Sequence, residues 1–139
     1  MSEQDQRRLV FHGAIVLLIG NLCGIPLGGA ASAGSGEAAM HGWRVAHSGL
    51  VMTGVLLIAI GAALRLVVLG EGATSWLVWS LLAAAYGGVV ALVLAAAVGE
   101  RGLAPTGPPL NLVAFVGNIG VVFGTLIGVV LLIRGTRPS

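Results

Sequence analysis

Four apolar runs constrain this chain more than any other feature. They cover residues 9–29, 44–69, 75–98 and 110–133. Each reaches the ~20 residues that a helix needs to cross the ~30 Å hydrocarbon core of a bilayer. Inside that core every backbone N–H and C=O must be satisfied internally, so each run is expected to be a helix. The intervals 30–42, 70–74 and 99–109 are linkers. Thr74 or Ser75 can cap the third helix, and Pro108 and Pro109 suit the start of the fourth. The expected fold is all-α: a single membrane domain of four helices over residues 1–139, with residues 1–8 polar and frayed.

Charge supports this class. Only 9% of the chain is charged, and it has no lysine; a soluble domain carries about 25%. Seven arginines face five acids, a net charge of +2. The arginines stand between apolar runs and not on one patch, which speaks for topology and against nucleic-acid binding. Arg7, Arg8, Arg65, Arg134 and Arg137 fall on one side of a four-span bundle, Arg44 and Arg101 on the other. The positive-inside rule then places both termini in the cytoplasm. Arg7-Arg8, the first apolar run and Ala31-Ser32-Ala33 also have the layout of a secretory signal; the expectation is that the segment stays as the first span.

The 23 glycines suggest close helix contacts. Gly117, Gly120, Gly124 and Gly128 share one helical stripe, and Ala84, Gly88, Ala91 and Ala95 form another. Such stripes let backbones approach, either inside one bundle or between subunits. The single Cys23 rules out an internal disulfide, a CxxC metal site and covalent CxxCH haem attachment. It is expected to be a small apolar filler.

The chemistry centres on His41-Gly42-Trp43-Arg44-Val45-Ala46-His47-Ser48-Gly49. Trp43 and Arg44 read as anchors at the water boundary, with Trp76 and Trp79 near it on the third span. His47 lies about one turn deeper, roughly 6 Å. An ionisable side chain there is a functional candidate by default. His41 falls in the linker and would not share a face with His47. His12 and His47 are expected near opposite ends of their spans, ~25–30 Å apart. No HExxH motif or paired carboxylates occur within the spans, because Glu37, Glu71 and Glu100 all fall in linkers. Hydrolytic metal catalysis is therefore poorly supported. A lone imidazole suits haem, which needs one neutral ring nitrogen and an apolar slot. Val51, Gly54, Ile58 and Gly61 share the His47 stripe, and the glycines open flat space there for a porphyrin or a neighbouring helix. A structural histidine bonded to a backbone carbonyl fits the same residues.

The string Gly42-Trp43-Arg44-Val45-Ala46-His47-Ser48-Gly49 resembles the Gly-Trp-x-x-Ala-His-Ser-Gly motif of the styrene oxide isomerase family. His12-Gly13 and Arg101-Gly102-Leu103 extend the resemblance. It implies a small membrane homotrimer with haem b at its subunit interfaces and His47 as axial ligand. Ferric iron in that family acts as a Lewis acid on an epoxide oxygen, and a 1,2-shift gives an aldehyde. Arg44 and Arg101 would then pair with haem propionates or anchor the bundle in the membrane, and His12 would meet headgroups, a propionate or simple packing. Thr53, Ala84 and Leu92 stand where the family has Asn, Asp and Tyr near its substrate. Only Thr53 keeps a polar group. Tyr86 and Asn118 could replace the lost groups or satisfy interhelical hydrogen bonds. The expected partners are the lipid bilayer and a small apolar epoxide. Two other functions stay open: a non-enzymatic haem protein for electron transfer, haem storage or gas sensing, and a haem-free subunit of a larger membrane complex.

Overall fold

The computed structural model describes residues 3–34 and 36–137, so both chain ends lie outside the described residues. Its helices are α1 (Glu3–Leu22), α2 (Gly24–Ser32), α3 (Glu37–Ala63), α4 (Glu71–Val98) and α5 (Pro109–Gly135). A single 3₁₀ turn, Leu64–Leu66, extends α3. Four stretches are long and apolar enough to cross a membrane: Glu3–Ser32, Glu37–Leu66, Glu71–Val98 and Pro109–Gly135.

Several boundaries differ from the sequence reading; the third span starts at Glu71 with Gly70 at its N-cap, so Thr74 and Ser75 lie inside the helix and do not cap it. The first helix starts at Glu3, so residues 3–8 are helical and not frayed. Glu3 and Asp5 sit in its first turn, where acids favour the helix dipole. Glu3 also pairs with Arg7 at 2.8 Å, one turn on. The same span continues through the expected linker to Ser32, with a break at Cys23. Pro26 accounts for the break: it lacks an N–H, and its ring clashes with the carbonyl four residues back, that of Leu22. Finally, α3 starts at Glu37, which puts His41, Trp43 and Arg44 inside the helix. Ala38, Ala39 and Met40 are good helix formers, and nothing there breaks the run.

The bundle is two tight pairs joined by a looser seam. Helix α1 packs along α3, and α4 packs antiparallel along α5; α3 meets α4. Glycine makes each pair possible. A Cβ on Gly54 would lie 2.5 Å from the Leu17 backbone nitrogen, and one on Gly20 2.6 Å from that of Val51. On the other side, Gly87, Gly117 and Gly124 each abut backbone of the facing helix. Leu9, Val16, Leu50, Leu57, Leu64 and Leu77 fill the interior. Phe11, Ile25, Met52 and Phe123 point outward, as lipid-facing side chains do.

The fourth-span glycine stripe is therefore spent within one chain. Gly124 lies against the Ser80 carbonyl and Ala84, and Gly128 against Leu81. Leucine at 124 would have to displace backbone, so Gly124→Leu is expected to lower stability by about 3 kcal/mol or more. Thermal unfolding in detergent would register it without any reference to subunit number.

All spans run end to end, so the structure has two faces. At the proximal end the start of α1, the end of α3 and the end of α5 meet: Gly61 abuts Leu9, and the Val68 N–H donates to the Gly135 carbonyl at 2.8 Å. Trp79 receives the Arg8 guanidinium over its ring at 5.3 Å there. The distal end carries the α2–α3 and α4–α5 connections. Trp43 departs from a simple belt role, since it is half-buried against the core.

Candidate functional site

His47 sits ten residues, about 15 Å, into α3. Its imidazole faces the place where α1 gives way to α2. Gly20 lets α3 come close, and Gly24 leaves room for the ring: a Cβ at 24 would lie 3.4 Å from His47 Nδ1. The Nδ1–H donates to the Gly20 carbonyl at 2.8 Å. That bond selects the tautomer with a lone pair on Nε2. Among the described residues Nε2 has no protein partner. A ring nitrogen tied to a backbone carbonyl is what the structural reading of His47 expects, and it also leaves the other nitrogen able to ligate a metal. The residues present thus fit an axial ligand to haem iron.

The rest of the His47 face is less roomy than its composition suggests. Gly54 and Gly61 open no slot for a porphyrin. Leu17 fills the first position and Leu9, Val10 and Gln6 the second, all from α1. Val51 follows His47 by one turn, but its backbone is covered by Gly20. Arg44, one turn before His47, is exposed on the same face. Within one chain His47 is half-exposed at the outer surface and lines none of the described cavities.

An apolar cavity lined by several polar groups lies elsewhere. It measures about 470 Å³ between α3, α4 and α5, and Thr53, Ala84, Leu92, Asn118 and Thr125 line it. Gly49, Thr53, Leu56, Leu57 and Ile60 form its α3 wall. They turn about 180–280° from His47, centred near 220°. His47 and this cavity therefore face opposite sides of one helix.

The polar groups of the cavity are mostly committed. The Thr53 hydroxyl donates to the Gly49 carbonyl at 2.8 Å, leaving only acceptor capacity. Asn118 Nδ2 donates to the carbonyls of Arg101 (2.9 Å) and Gly102 (3.0 Å). Thr125, which the sequence reading missed, makes no hydrogen bond among the described residues. Its signal was available, because it follows Asn118 by seven residues and so shares its stripe.

Tyr86 does not join them. Its hydroxyl is hydrogen-bonded to His12 Nδ1 at 2.7 Å, with the two rings edge to face at 5.6 Å. It lies about 160° round α4 from Ala84. The early start of α1 also changes the histidine spacing. His12 is eight residues, about 12 Å, from Gly20, the level of His47. The expected 25–30 Å separation is thus more than halved along the axis.

Arg101 lines a cleft that Arg44 does not. Arg101 stands on the α4–α5 linker, which folds back along α5 instead of leaving the bundle. Gly102 is buried against Ala114 and Phe115 with φ +61°. Asn111, also missed from sequence, holds the same loop: its Oδ1 accepts from the Gly102 N–H at 2.9 Å, and its Nδ2 donates to the Ala104 and Thr106 carbonyls. Arg101 then lines a cleft of about 410 Å³ with His41, between α3 and α4. His41, placed in a linker by the sequence reading, is in α3 and faces this cleft.

These features define a class: a small four-span integral membrane protein with one imidazole nitrogen offered at its side and an apolar cavity behind it. The chain belongs to the styrene oxide isomerase family, which it matches over residues 5–137. No curated protein and no solved structure gives a match.

Proposed function

We propose that the protein is a haem-b isomerase that converts apolar epoxides into carbonyl compounds, at a site shared between copies of the chain. The observation that carries this reading is the His47 ring, anchored by Nδ1 to Gly20 with Nε2 left as a base. Family membership points the same way.

His47 would hold the iron, and Arg44, on the same face, would meet a propionate. When bound, ferric haem supplies a Lewis acid for the epoxide oxygen. The chain's own contribution is a dry pocket. Ala84, Leu92 and their neighbours exclude the water that would otherwise trap the opening epoxide as a diol. Thr53 can only accept a hydrogen bond in its present arrangement, and both Asn118 N–H groups hold the linker. The Thr125 hydroxyl is the cavity donor left to orient the oxygen. One chain turns His47 and this cavity to opposite sides, so they meet only if the His47 face of one copy packs on the cavity face of the next. A head-to-tail contact of that kind closes into a ring, and the family resemblance makes the ring a trimer.

The direct test is carbonyl production from styrene oxide and alkyl epoxides by purified ferric protein. Phenylacetaldehyde is expected, formed more slowly than by family members with the full polar set, because Ala84 and Leu92 replace two polar groups. Haem-loaded protein with an open sixth site and no product would shift the reading to a non-enzymatic haem protein; those two replacements are the observation favouring it. Absence of a Soret band would leave a haem-free subunit.

Orientation follows from charge. Arg7, Arg8, Arg65, Arg134 and Arg137 belong to the proximal end, Arg44 and Arg101 to the distal half. The proximal end, and with it both termini, would face the cytoplasm. Reporters fused beyond each terminus should both be active in the cytoplasm. A split result would remove the four-span arrangement.

A further inference from the structure

The distal cleft has features that a neutral epoxide does not require. Its walls are small and apolar: Gly42, Ala95, Ala96 and Gly99 leave the space. Its polar side chains are Arg101 and His41. Neither makes a side-chain hydrogen bond or ion pair among the described residues. Glu37 and Glu100 are near in sequence, but neither lines the cleft. The α3 start adds its positive end, since Ala38 and Ala39 of the first turn are also in the wall. Arg101 is held in place from behind, because Asn111 and Asn118 bond the backbone around it and leave its guanidinium uncommitted.

The cleft adjoins the inner cavity through a shared wall residue, Leu92. The two are stacked along α3, with a charged mouth at the membrane boundary and an apolar interior below. From Gly42 to Thr53 is eleven residues, about 16 Å. One acyl chain reaches a similar ~15 Å, half of a ~30 Å core. Leu92 stands between the two, packed against α3: its side chain lies 3.1 Å from where a Gly49 Cβ would be, so a tail enters only when this side chain turns aside. That suits one tail, not the two of a phospholipid.

We propose that the cleft binds the carboxylate of a single-chain amphiphile, with Arg101 and His41 on the head and the tail passing Leu92 into the inner cavity. Resting on the isomerase reading, this names the substrate class as epoxides carried on a carboxylate-headed chain, with Arg101 as the selecting residue.

The test is binding of stearate spin-labelled at mid-chain to the protein in phosphatidylcholine nanodiscs, read as the immobilised fraction by electron paramagnetic resonance. Oleate should displace the probe, and methyl oleate should need about tenfold more, the loss of one charge-assisted pair. Arg101→Gln should weaken binding about tenfold while haem content and thermal stability stay at wild-type values. Leu92→Trp should free the label, because it blocks the path of the tail. Equal potency of acid and methyl ester, or unchanged binding in Arg101→Gln, overturns the proposal. So does displacement by phosphatidylglycerol as effective as by oleate, which would make this a phospholipid headgroup site. Loss of haem in Arg101→Gln overturns it in favour of a propionate contact. Stearate binding needs no haem and no turnover, so failure here leaves epoxide isomerisation standing, and failure of isomerisation leaves the carboxylate site.

Discussion

Replacing His47 with alanine is expected to leave the four helices intact and remove stoichiometric haem. The structural loss is small, since the side chain contributes one hydrogen bond to the Gly20 carbonyl, about 1 kcal/mol. The functional loss is large, because on the haem reading Nε2 is the nitrogen that binds the iron. Disturbing only the partner of a ligating histidine costs about 10–100-fold in affinity or activity; removing the ring should exceed a hundredfold in both. A haemochrome assay on purified protein measures the first and carbonyl production the second. Two other histidines provide the contrast. His41→Ala should keep its haem, because His41 faces the distal cleft on another side of α3. His12→Ala should also keep it, with Tyr86 losing its partner. Haem content and Soret position unchanged in His47→Ala would sink the ligand assignment.

The second large effect is expected at Gly54, which touches no part of the His47 ring. A methyl group there would lie 2.5 Å from the Leu17 nitrogen and 2.7 Å from its Cα. Those are backbone atoms of a helix, so α1 as a whole must move. Gly54→Ala should cost about 1–3 kcal/mol and Gly54→Leu more. The displacement has a consequence at a distance. Gly20 is on α1 only three residues beyond Leu17, less than one turn, and its carbonyl orients His47. Gly54→Ala should therefore weaken haem binding about tenfold or more, as loss of an orienting partner does. Gly28→Ala is the control, since nothing lies within 4 Å of its Cβ position. Thermal unfolding in detergent and haem titration of the three proteins would separate stability from ligand orientation. Gly54→Ala with wild-type haem affinity would show that the α1 contact does not position the ring.

The residues that mislead a linear reading do so for one reason. Gly54 and Gly61 were open to two uses, a flat ligand or a helix, and α1 took the space. Gly124 was open to a subunit contact or an internal one, and α4 took it. Tyr86 and Asn118 read alike as polar groups deep in a span, yet one pairs with His12 and the other pins a linker. Asn111 drew no attention because nothing in its neighbourhood is unusual, and Thr125 was passed over although it shares the Asn118 stripe. In a soluble helix the polar face shows which side meets water. Here the sides facing lipid and the sides facing other helices are equally apolar, so periodicity carries no address.

The sequence by itself determined whatever bilayer thickness and hydrophobicity decide: four helical spans, an all-α fold, arginines unequally divided between its two ends, and one histidine motif close enough to a known family to be recognised. Only the tertiary structure decided which small residues meet which helix, that the His47 ring leans on Gly20, and that the cavity of Thr53, Asn118 and Thr125 opens on the other side of α3. The difference is physical. Crossing a membrane is a property of a segment's length and composition, whereas a site depends on rotation about the helix axis, and packing against the other helices sets that angle.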